Sequence, residues 1–336
     1  MLNNDQTRDK TMIGLQSNDI CYSALGRAYG PFSTDGAVHE VLEPEQVRNA
    51  FDFNIVKREN FDVQGRLIPG QWHLEKDTDG SIIPSMSVGD RFEPIQHHMV
   101  FEYIVDKVLP NIKDSRLIVA GTIHGGGVGI VIVQLGGSFS VFGDESPQAM
   151  TLVFNNPSNG MGRLTLGMTA MRWHCSNQIV AAMRSAESEG LNVMHTKSGK
   201  EIAAFALRTI RAEIERGMDM KDRIVRLSMA SVNKAVVRFC LDRVYPLGGL
   251  EKGSRMYKNV EKLRERVMNE FEGGQTAQTI KRDSAWKLFN SFTYSIFNPE
   301  KMRRNMDVTE IQYNGIFGNR AMGVHRVLRA VEDALS

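Results

Sequence analysis

The sequence lacks the features that define several large classes of protein. It has three cysteines far apart in the chain (Cys21, Cys175 and Cys240) and no Cys-x-x-Cys pair, which excludes a disulfide framework and a cysteine-based zinc site. No apolar run reaches the roughly eighteen residues that a membrane-spanning helix needs, so we expect no such segment. Residues 1–10 lack the basic and then apolar profile of a signal peptide, so we expect a cytoplasmic protein.

The glycine-rich stretches match none of the motifs that bind nucleotides or build hydrolase sites. Residues 198–201 (Ser-Gly-Lys-Glu) lack the Ser or Thr that follows the lysine of a Walker loop. Residues 124–129 (His-Gly-Gly-Gly-Val-Gly) do not fit Gly-x-Gly-x-x-Gly, and no Gly-x-Ser-x-Gly elbow accompanies their likeness to the lipase oxyanion sequence. We therefore expect no nucleotide cofactor and interpret residues 124–129 as a hairpin connection.

Charge is distributed unevenly along the chain, although the formal net charge is only +2. Residues 1–196 carry 15 Lys and Arg against 22 Asp and Glu, whereas residues 197–336 carry 26 against 17. An acidic region joined to a basic one indicates either a polyanion partner or head-to-tail self-association. A set of solvated helix faces explains the pattern equally well, because no block of about five like charges is present.

The turn and hydrophobic patterns divide the chain into three parts. Residues 1–20 are polar and unpatterned, which indicates a mobile tail. Residues 21–195 predict an α+β domain, in which β-branched runs with short connections predict strands at 116–123, 129–135, 138–142, 150–154 and 163–171. Connections this short cannot join parallel strands, so we predict an antiparallel meander of four or five strands packed with helices. Residues 196–336 predict a mainly helical, basic region.

The remaining elements flank this meander on both sides. Before it we predict a short helix at 43–51, strands at 37–41, 53–57 and 82–88, and a helix at 100–108 that Pro110 ends. After it, the spacing of apolar residues predicts helices at 176–188, 201–216, 222–244, 255–271, 284–297 and 321–335. Gly273-Gly274 predicts a hinge between two of them.

Two pairs of neighbouring side chains suit metal binding or nucleophilic catalysis. His97 and His98 would diverge by about 100° on a helix, and no further ligands are indicated, so we predict no metal site. Cys175 follows His174, yet a catalytic Cys–His pair normally comes from different segments of the chain. We therefore interpret Cys175 as a buried structural residue.

The basic region carries the residue types that an unpaired nucleic-acid strand requires. Residues 281–304 interleave Trp286, Phe289 and Phe292 with cations, an arrangement that suits base stacking and phosphate neutralisation. The same rings follow helical spacing, and we interpret most of them as core. Cations also recur along the predicted helix 222–244 at spacings that share a face. The candidate phosphate-binding residues are Arg172, Lys221, Arg223, Arg226, Lys234, Arg238, Arg282, Lys287, Arg303 and Arg304.

Four segments occur in an order that points to one family. Residues 172–179 read Arg-Trp-His-Cys-Ser-Asn-Gln-Ile, 88–96 read Val-Gly-Asp-Arg-Phe-Glu-Pro-Ile-Gln, 120–126 read Ala-Gly-Thr-Ile-His-Gly-Gly, and 285–293 read Ala-Trp-Lys-Leu-Phe-Asn-Ser-Phe-Thr. These resemble the elements Arg-Val-Val-Cys-x-Asn-Thr-Leu, Gly-x-x-Tyr-x-Pro-x-Gln, Ala-Gly-x-Leu-x-Gly-Gly and Trp-x-x-x-Asn-Ala-x-Thr of the phage/plasmid-like family called domain of unknown function nine-three-two. The similarity extends over roughly residues 25–336.

The resemblance implies a gene carried by phages and mobile elements, without an assigned activity, whose product acts in the cytoplasm of a bacterial host. The family has Asn-Ser-His-Asp-Gly between its last two strands, whereas residues 156–160 here are Asn-Pro-Ser-Asn-Gly. A catalytic role of that His-Asp pair would be lost in this chain, which favours binding over catalysis. The meander followed by a helix is also similar to the core of single-strand annealing proteins, a likeness of fold alone.

Three functional hypotheses remain open. The first is a phage recombination protein, not an enzyme, that binds single-stranded DNA and promotes annealing as a ring or filament of identical subunits. The DNA would lie in a groove lined by Arg172, Arg223, Arg226, Lys234 and Arg238. The second is a counter-defence or regulatory protein whose acidic region binds a host protein. The third is a hydrolase using Asn159, His174 or Cys175, for which no base with an orienting partner is visible.

Overall fold

The computed structural model describes residues 21–23, 43–85, 87–172, 191–199, 201, 203, 221–297 and 319–335. The strands are β1 (Cys21–Ser23), β2 (Ile55–Phe61), β3 (Leu67–Lys76), β4 (Arg116–Ile123), β5 (Val128–Phe139), β6 (Gln148–Pro157), β7 (Leu164–Arg172) and β8 (Leu191–Val193). The tail predicted at 1–20, the strand at 37–41, the helix at 176–188 and most of the helix at 201–216 lie outside the described residues.

The central sheet confirms the predicted α+β class and antiparallel meander. Its strands lie in the order β1-β4-β5-β6-β7-β8, and each neighbouring pair is antiparallel. One predicted strand is wrong, because 138–142 is not separate from 129–135. Instead β5 continues to Phe139, with an irregular register between Leu135 and Phe139 where Gly136 has a φ of 68°. A glycine bulge of this kind bends a strand without ending it.

Strand β5 is buried on both faces, which explains its unbroken run of β-branched residues. Val131 and Val133 point to a core cluster shared with α2 (His97–Tyr103), whereas Ile130 and Ile132 are buried on the opposite face. On the α2 side, the rings of Phe51 and Phe101 stack with centroids 4.6 Å apart. The sheet is therefore the structural centre of the first part of the chain.

The helices around this cluster follow the prediction closely. The predicted helix at 43–51 is α1 (Pro44–Val47) followed by a 3-10 turn (Arg48–Phe51). The predicted helix at 100–108 is α2 with a following π turn (Ile104–Val108), and a 3-10 turn containing Pro110 comes next.

A second, two-stranded sheet pairs β2 with β3. The strand predicted at 82–88 is wrong, because this segment joins β3 only through the single bridges Trp72–Val88 and Glu75–Ile82. Strand β3 was not predicted, since Pro69-Gly70 reads as a turn. Both residues are exposed within β3, where a missing backbone donor is tolerated.

Helices form a separate hydrophobic core in the second part of the chain. They are α3 (residues 221–229), α4 (Lys234–Val244), α5 (Arg255–Glu272), α6 (Gln275–Thr279), α7 (Ala285–Phe297) and α8 (Asn319–Asp333). Trp286 and Phe292 are buried in this core, in agreement with their interpretation as packing residues. Among the described helices, none has both the length and the apolar composition to span a membrane.

The single long helix predicted at 222–244 is wrong, because the chain breaks between α3 and α4. The Asn233 side chain caps α4 by accepting hydrogen bonds from the backbone N–H groups of Ala235 (2.9 Å) and Val236 (3.0 Å). Ser231 meanwhile pairs with Ser284 as an isolated bridge. An asparagine cap and a strand-like bridge both compete with helix continuation.

The β5–β6 connection joins the sheet to the helical core. We call residues 140–147 the hairpin tip. Within it, Val141 belongs to the helical core, and an Asp144 carboxylate oxygen accepts a hydrogen bond from Trp286 Nε1 at 2.9 Å. The Lys281 backbone N–H also donates to the Gly143 carbonyl at 3.0 Å. These contacts fix the hairpin tip against the start of α7.

Candidate nucleic-acid interface

The hairpin tip presents an exposed aromatic ring beside a fixed guanidinium. Arg282 lies over the ring of Phe142 at 4.9 Å from its centroid. One terminal nitrogen of Arg282 donates to the Met229 carbonyl and to Ser231 Oγ, both at 2.9 Å. Phe142 and Met229 nevertheless expose 57% and 56% of their surface. The guanidinium therefore brings together the hairpin tip, the end of α3 and the connection between α3 and α4.

We define the tip patch as Phe142, Met229, Lys281 and Arg282. Further cations lie on the two helices beside it. Arg226 lies one helical turn before Met229, and Lys234 begins α4 three residues after Ser231. Arg226, Lys234 and the next residue on that face, Arg238, are exposed, and none of them forms an ion pair within the described ranges. The surface therefore combines exposed positive charge with accessible apolar groups.

Three other predicted cations are used within the protein. Arg223 forms an ion pair with Glu332 of α8. Lys287 is only 5% exposed, lies 2.8 Å from an Asp283 carboxylate oxygen and packs over the Phe271 ring. Lys221 lies over the Phe139 ring at 5.3 Å. Carboxylates neutralise Arg223 and Lys287, and burial removes Lys287 from solvent.

The remaining predicted cations are Arg172, Arg303 and Arg304. Arg172 is the last residue of β7, and its side chain lies outside the described part of the chain. Arg303 and Arg304 also lie outside it, as do His174 and Cys175. The exposed candidate cations therefore lie on two helices and beside the hairpin tip, and not along one long helix as predicted.

Phe142 was missed in the sequence because the strand predicted at 138–142 included it, whereas it lies in the turn that follows β5. Residues 141–144 read Val-Phe-Gly-Asp, and Gly143 has a φ of 77°. The spacing of apolar residues in strands or helices predicts no packing role for a large aromatic residue that lies between two strands and next to a left-handed glycine. Turns are usually composed of small and polar residues, so a phenylalanine in this turn was the feature of the sequence that could have identified it.

A second cluster of polar residues is buried at the other end of the central sheet, around His97. His97 Nε2 donates to the Gly126 carbonyl at 3.0 Å, and its Nδ1 accepts from the Asn156 amide at 2.9 Å. The ring is therefore neutral, and burial lowers its pKa to about 4. A Cβ on Gly129 would lie 2.5 Å from His97 Nδ1, so this glycine leaves room for the imidazole.

His195 completes this cluster and was also missed in the sequence. Its Nδ1 accepts from the Ile95 backbone N–H at 3.1 Å, and its ring stacks on Phe92. Burial lowers the pKa of His195 to about 3. Asn156 Nδ2 and Ser158 Oγ donate to the carbonyl of the same Ile95 at 2.8 and 2.7 Å. The cluster thus joins residues 93–97 to the β6–β7 turn.

The buried histidine cluster brings together two of the segments that resembled one family in the sequence, residues 88–96 and 120–126. The family described as Domain of unknown function (DUF932) matches residues 85–314. The chain belongs to this family. No curated protein and no solved structure matches the chain.

The DUF932 match includes the buried histidine cluster, the hairpin tip and helices α3 to α7. It is narrower than the predicted similarity over 25–336, because β2 and β3 precede it and α8 follows it. The matched range therefore includes strands β4 to β8 of the central sheet and most of the helical core.

The residues proposed for hydrolysis have structural partners where they are described. Asn159 is buried, and its side-chain oxygen accepts from the Met161 backbone N–H at 3.2 Å, as in an ordinary turn. Cys240, which was not among these candidates, is also buried, and burial raises the pKa of its thiol to about 11. No group of three or more His, Cys, Asp or Glu side chains suited to a metal occurs among the described residues.

Proposed function

We propose that the protein binds single-stranded DNA on the tip patch and the exposed faces of α3 and α4. The observation that carries the proposal is the exposed Phe142 ring with Arg282 over it. The exposed cations Arg226, Lys234 and Arg238 lie on the adjoining helices α3 and α4. Every base has a flat face that can stack on such a ring, and phosphates are attracted by the exposed cations. The combination favours an unpaired strand without preference for sequence.

We further propose annealing of complementary strands as the activity, in a phage or mobile-element context. A surface that binds phosphates and stacks bases leaves their pairing edges accessible to a second strand. Base pairing is itself favourable, so the proposed reaction needs no nucleotide cofactor. The description of the DUF932 family names no activity, so family membership supports neither annealing nor any other function. The proposal therefore rests on the tip patch.

Paired phenylalanine substitutions test the stacking surface. Phe142→Ala should weaken binding to fluorescein-labelled oligothymidylate, measured by anisotropy, by about fivefold or more because one stacked base is lost. Phe61→Ala is the matched control, because Phe61 is also 57% exposed but lies at the end of β2. Equal affinities of the two variants and the wild type would contradict the proposal.

The second candidate function, binding of a host protein, is favoured by the connection between β2 and β3. Phe61, Val63 and Leu67 expose 57%, 98% and 47% of their surface there. Accessible apolar groups at the end of a two-stranded sheet are typical of protein contacts. Here Phe61→Ala should abolish capture of the partner from nuclease-treated host lysate, whereas Phe142→Ala should not. The same two variants therefore separate the two functions.

A further inference from the structure

Strand β2 has one edge that is paired with β3 and one open edge. At the open edge, the Gln96 side chain accepts from the Ile55 backbone N–H at 2.8 Å and donates to the Ile55 carbonyl at 3.0 Å. Backbone groups alternate between the two edges of a strand, so those of Lys57 and Glu59 point the same way as those of Ile55, away from β3. Within the described residues, no hydrogen bond reaches the backbone groups of Lys57 and Glu59 on that side. Unpaired backbone groups at a sheet edge are a template for a further strand.

The side chains at this edge carry opposite charges, and neither of them forms an ion pair within the described ranges. Lys57 Nζ donates to the Asp90 carbonyl at 3.0 Å and lies 5.1 Å from the centroid of the Trp72 ring. These contacts hold the ammonium group beside β2. Glu59 is exposed. The edge therefore presents a positive and a negative charge on one face of the strand, because side chains at alternate positions share a face.

A second copy of the same strand complements this edge in one register. If two β2 strands pair antiparallel about Arg58, Lys57 of each copy lies opposite Glu59 of the other, and their outward N–H and C=O groups bond to each other. Opposite charges directly across a strand pair are stabilising, whereas sliding either strand by two residues opposes Lys57 with Lys57 or Glu59 with Glu59. Arg58 then faces Arg58 of the second copy, and Glu75, which lies 3.3 Å from the Arg58 side chain within each chain, offsets these like charges. Charges at a sheet edge usually repel a second strand, but these two make the edge complementary to itself.

We propose that two copies of the protein pair through the open edge of β2, so that their β2–β3 sheets become one continuous antiparallel sheet. The contact is isologous, because the same residues contribute from both copies, and it differs from a head-to-tail contact between acidic and basic regions. It shares no residue with the tip patch and does not depend on DNA binding. A contact this small holds two copies only weakly, so a covalent trap detects it better than the mass of dilute protein does.

A disulfide trap tests this register on the full-length protein. In the proposed pairing the two Cα atoms at position 58 lie about 4.5 Å apart, within the range that a disulfide spans. At position 59 they are offset by two residues, about 7 Å along the strands, and a disulfide cannot join them. Under mild oxidation Arg58→Cys should therefore give about fivefold more disulfide-linked dimer than Glu59→Cys, measured by non-reducing electrophoresis. The wild type, which has three cysteines of its own, gives the background.

Exchange of the two charges gives a second measurement in the Arg58→Cys chain. Adding Glu59→Lys opposes two lysines and should lower the dimer yield about threefold, because like charges across a strand pair are destabilising. Adding Lys57→Glu as well brings back opposite charges and should restore the yield. Equal yields from Arg58→Cys and Glu59→Cys overturn the proposal, and so does a double exchange without recovery. Circular dichroism of each variant shows that the fold is retained.

Discussion

At the scale of single residues, one side-chain type has different roles according to its neighbours. Arg223 and Arg226 lie three residues apart on α3, and sequence spacing alone gives both the same face. Glu332 neutralises Arg223, whereas Arg226 is exposed without an ion pair in the described ranges. The difference arises from α8, which is distant in sequence, and so could not be predicted from α3 itself.

This pair of arginines gives opposite predictions for binding and stability. Arg226→Ala should weaken binding to oligothymidylate several-fold and leave thermal stability unchanged, because an exposed cation contributes to phosphate attraction alone. Arg223→Ala should cost about 1 kcal/mol of stability by leaving Glu332 unpaired, with little effect on binding. Fluorescence anisotropy measures DNA binding by both variants, and denaturant unfolding measures their stability. Weaker binding by Arg223→Ala and lower stability of Arg226→Ala would rule out the proposed surface.

The buried histidines predict a loss of stability in acid. His97 and His195 have a folded pKa of about 4 and about 3, below the value of 6.5 expected when unfolded. Between pH 6.5 and 4 the unfolded chain therefore binds more protons, and the free energy of unfolding falls as the pH falls. Each histidine contributes a slope of up to about 1.4 kcal/mol per pH unit.

Urea unfolding between pH 7 and 4.5 measures this slope. His97→Gln should reduce it by about the share of one histidine, because a glutamine does not titrate. His73→Gln is the control, since His73 is partly exposed on β3. A slope that His97→Gln leaves unchanged would show that the buried imidazole does not take up a proton on unfolding.

At the scale of elements, the break between α3 and α4 depends on one cap. Asn233→Ala removes the side-chain acceptor of two backbone N–H groups and should lower the free energy of unfolding by about 1 kcal/mol. Asn259→Ala, in the interior of α5, should not destabilise, because alanine favours a helix more strongly than asparagine does. Chemical denaturation of both variants tests the cap, and equal effects would contradict it.

The same break shows which elements could be predicted from sequence. The meander was predictable because β5 carries a run of β-branched residues and β6 an apolar run, with short turns between the strands. The break between α3 and α4 was not predictable, since residues 230–233 keep apolar spacing. The Asn233 cap competes with continuation of the helix only when Ser231 pairs with Ser284. The tip patch was predicted only in part. Arg282 was identified from the sequence, but its partners Phe142 and Met229 were not, because they come from distant segments of the chain.

At the scale of the whole molecule, the acidic and basic regions predict self-association. Residues 1–196 have a net charge of −7 and residues 197–336 one of +9, from the counts of 15 against 22 and 26 against 17. We propose that the acidic region of one subunit contacts the basic region of the next, which generates a ring or a filament.

Salt should reduce this association, because the Debye length shortens from about 10 Å at 0.1 M to about 3 Å at 1 M. Sedimentation at a fixed protein concentration should give a mass above that of one chain in low salt and a single-chain mass in high salt. A mass that is independent of salt would contradict a head-to-tail contact based on charge. Electron micrographs with and without oligothymidylate distinguish a ring from a filament.

The most direct test of the central claim is the affinity for oligothymidylate as a function of salt concentration. Release of counterions from a single strand gives a slope of about −0.7 in log affinity against log salt for each phosphate contact. If Arg226, Lys234, Arg238 and Arg282 each contact one phosphate, the slope should be about −3. A flat dependence between low and moderate salt would show that these cations do not bind a nucleic-acid backbone.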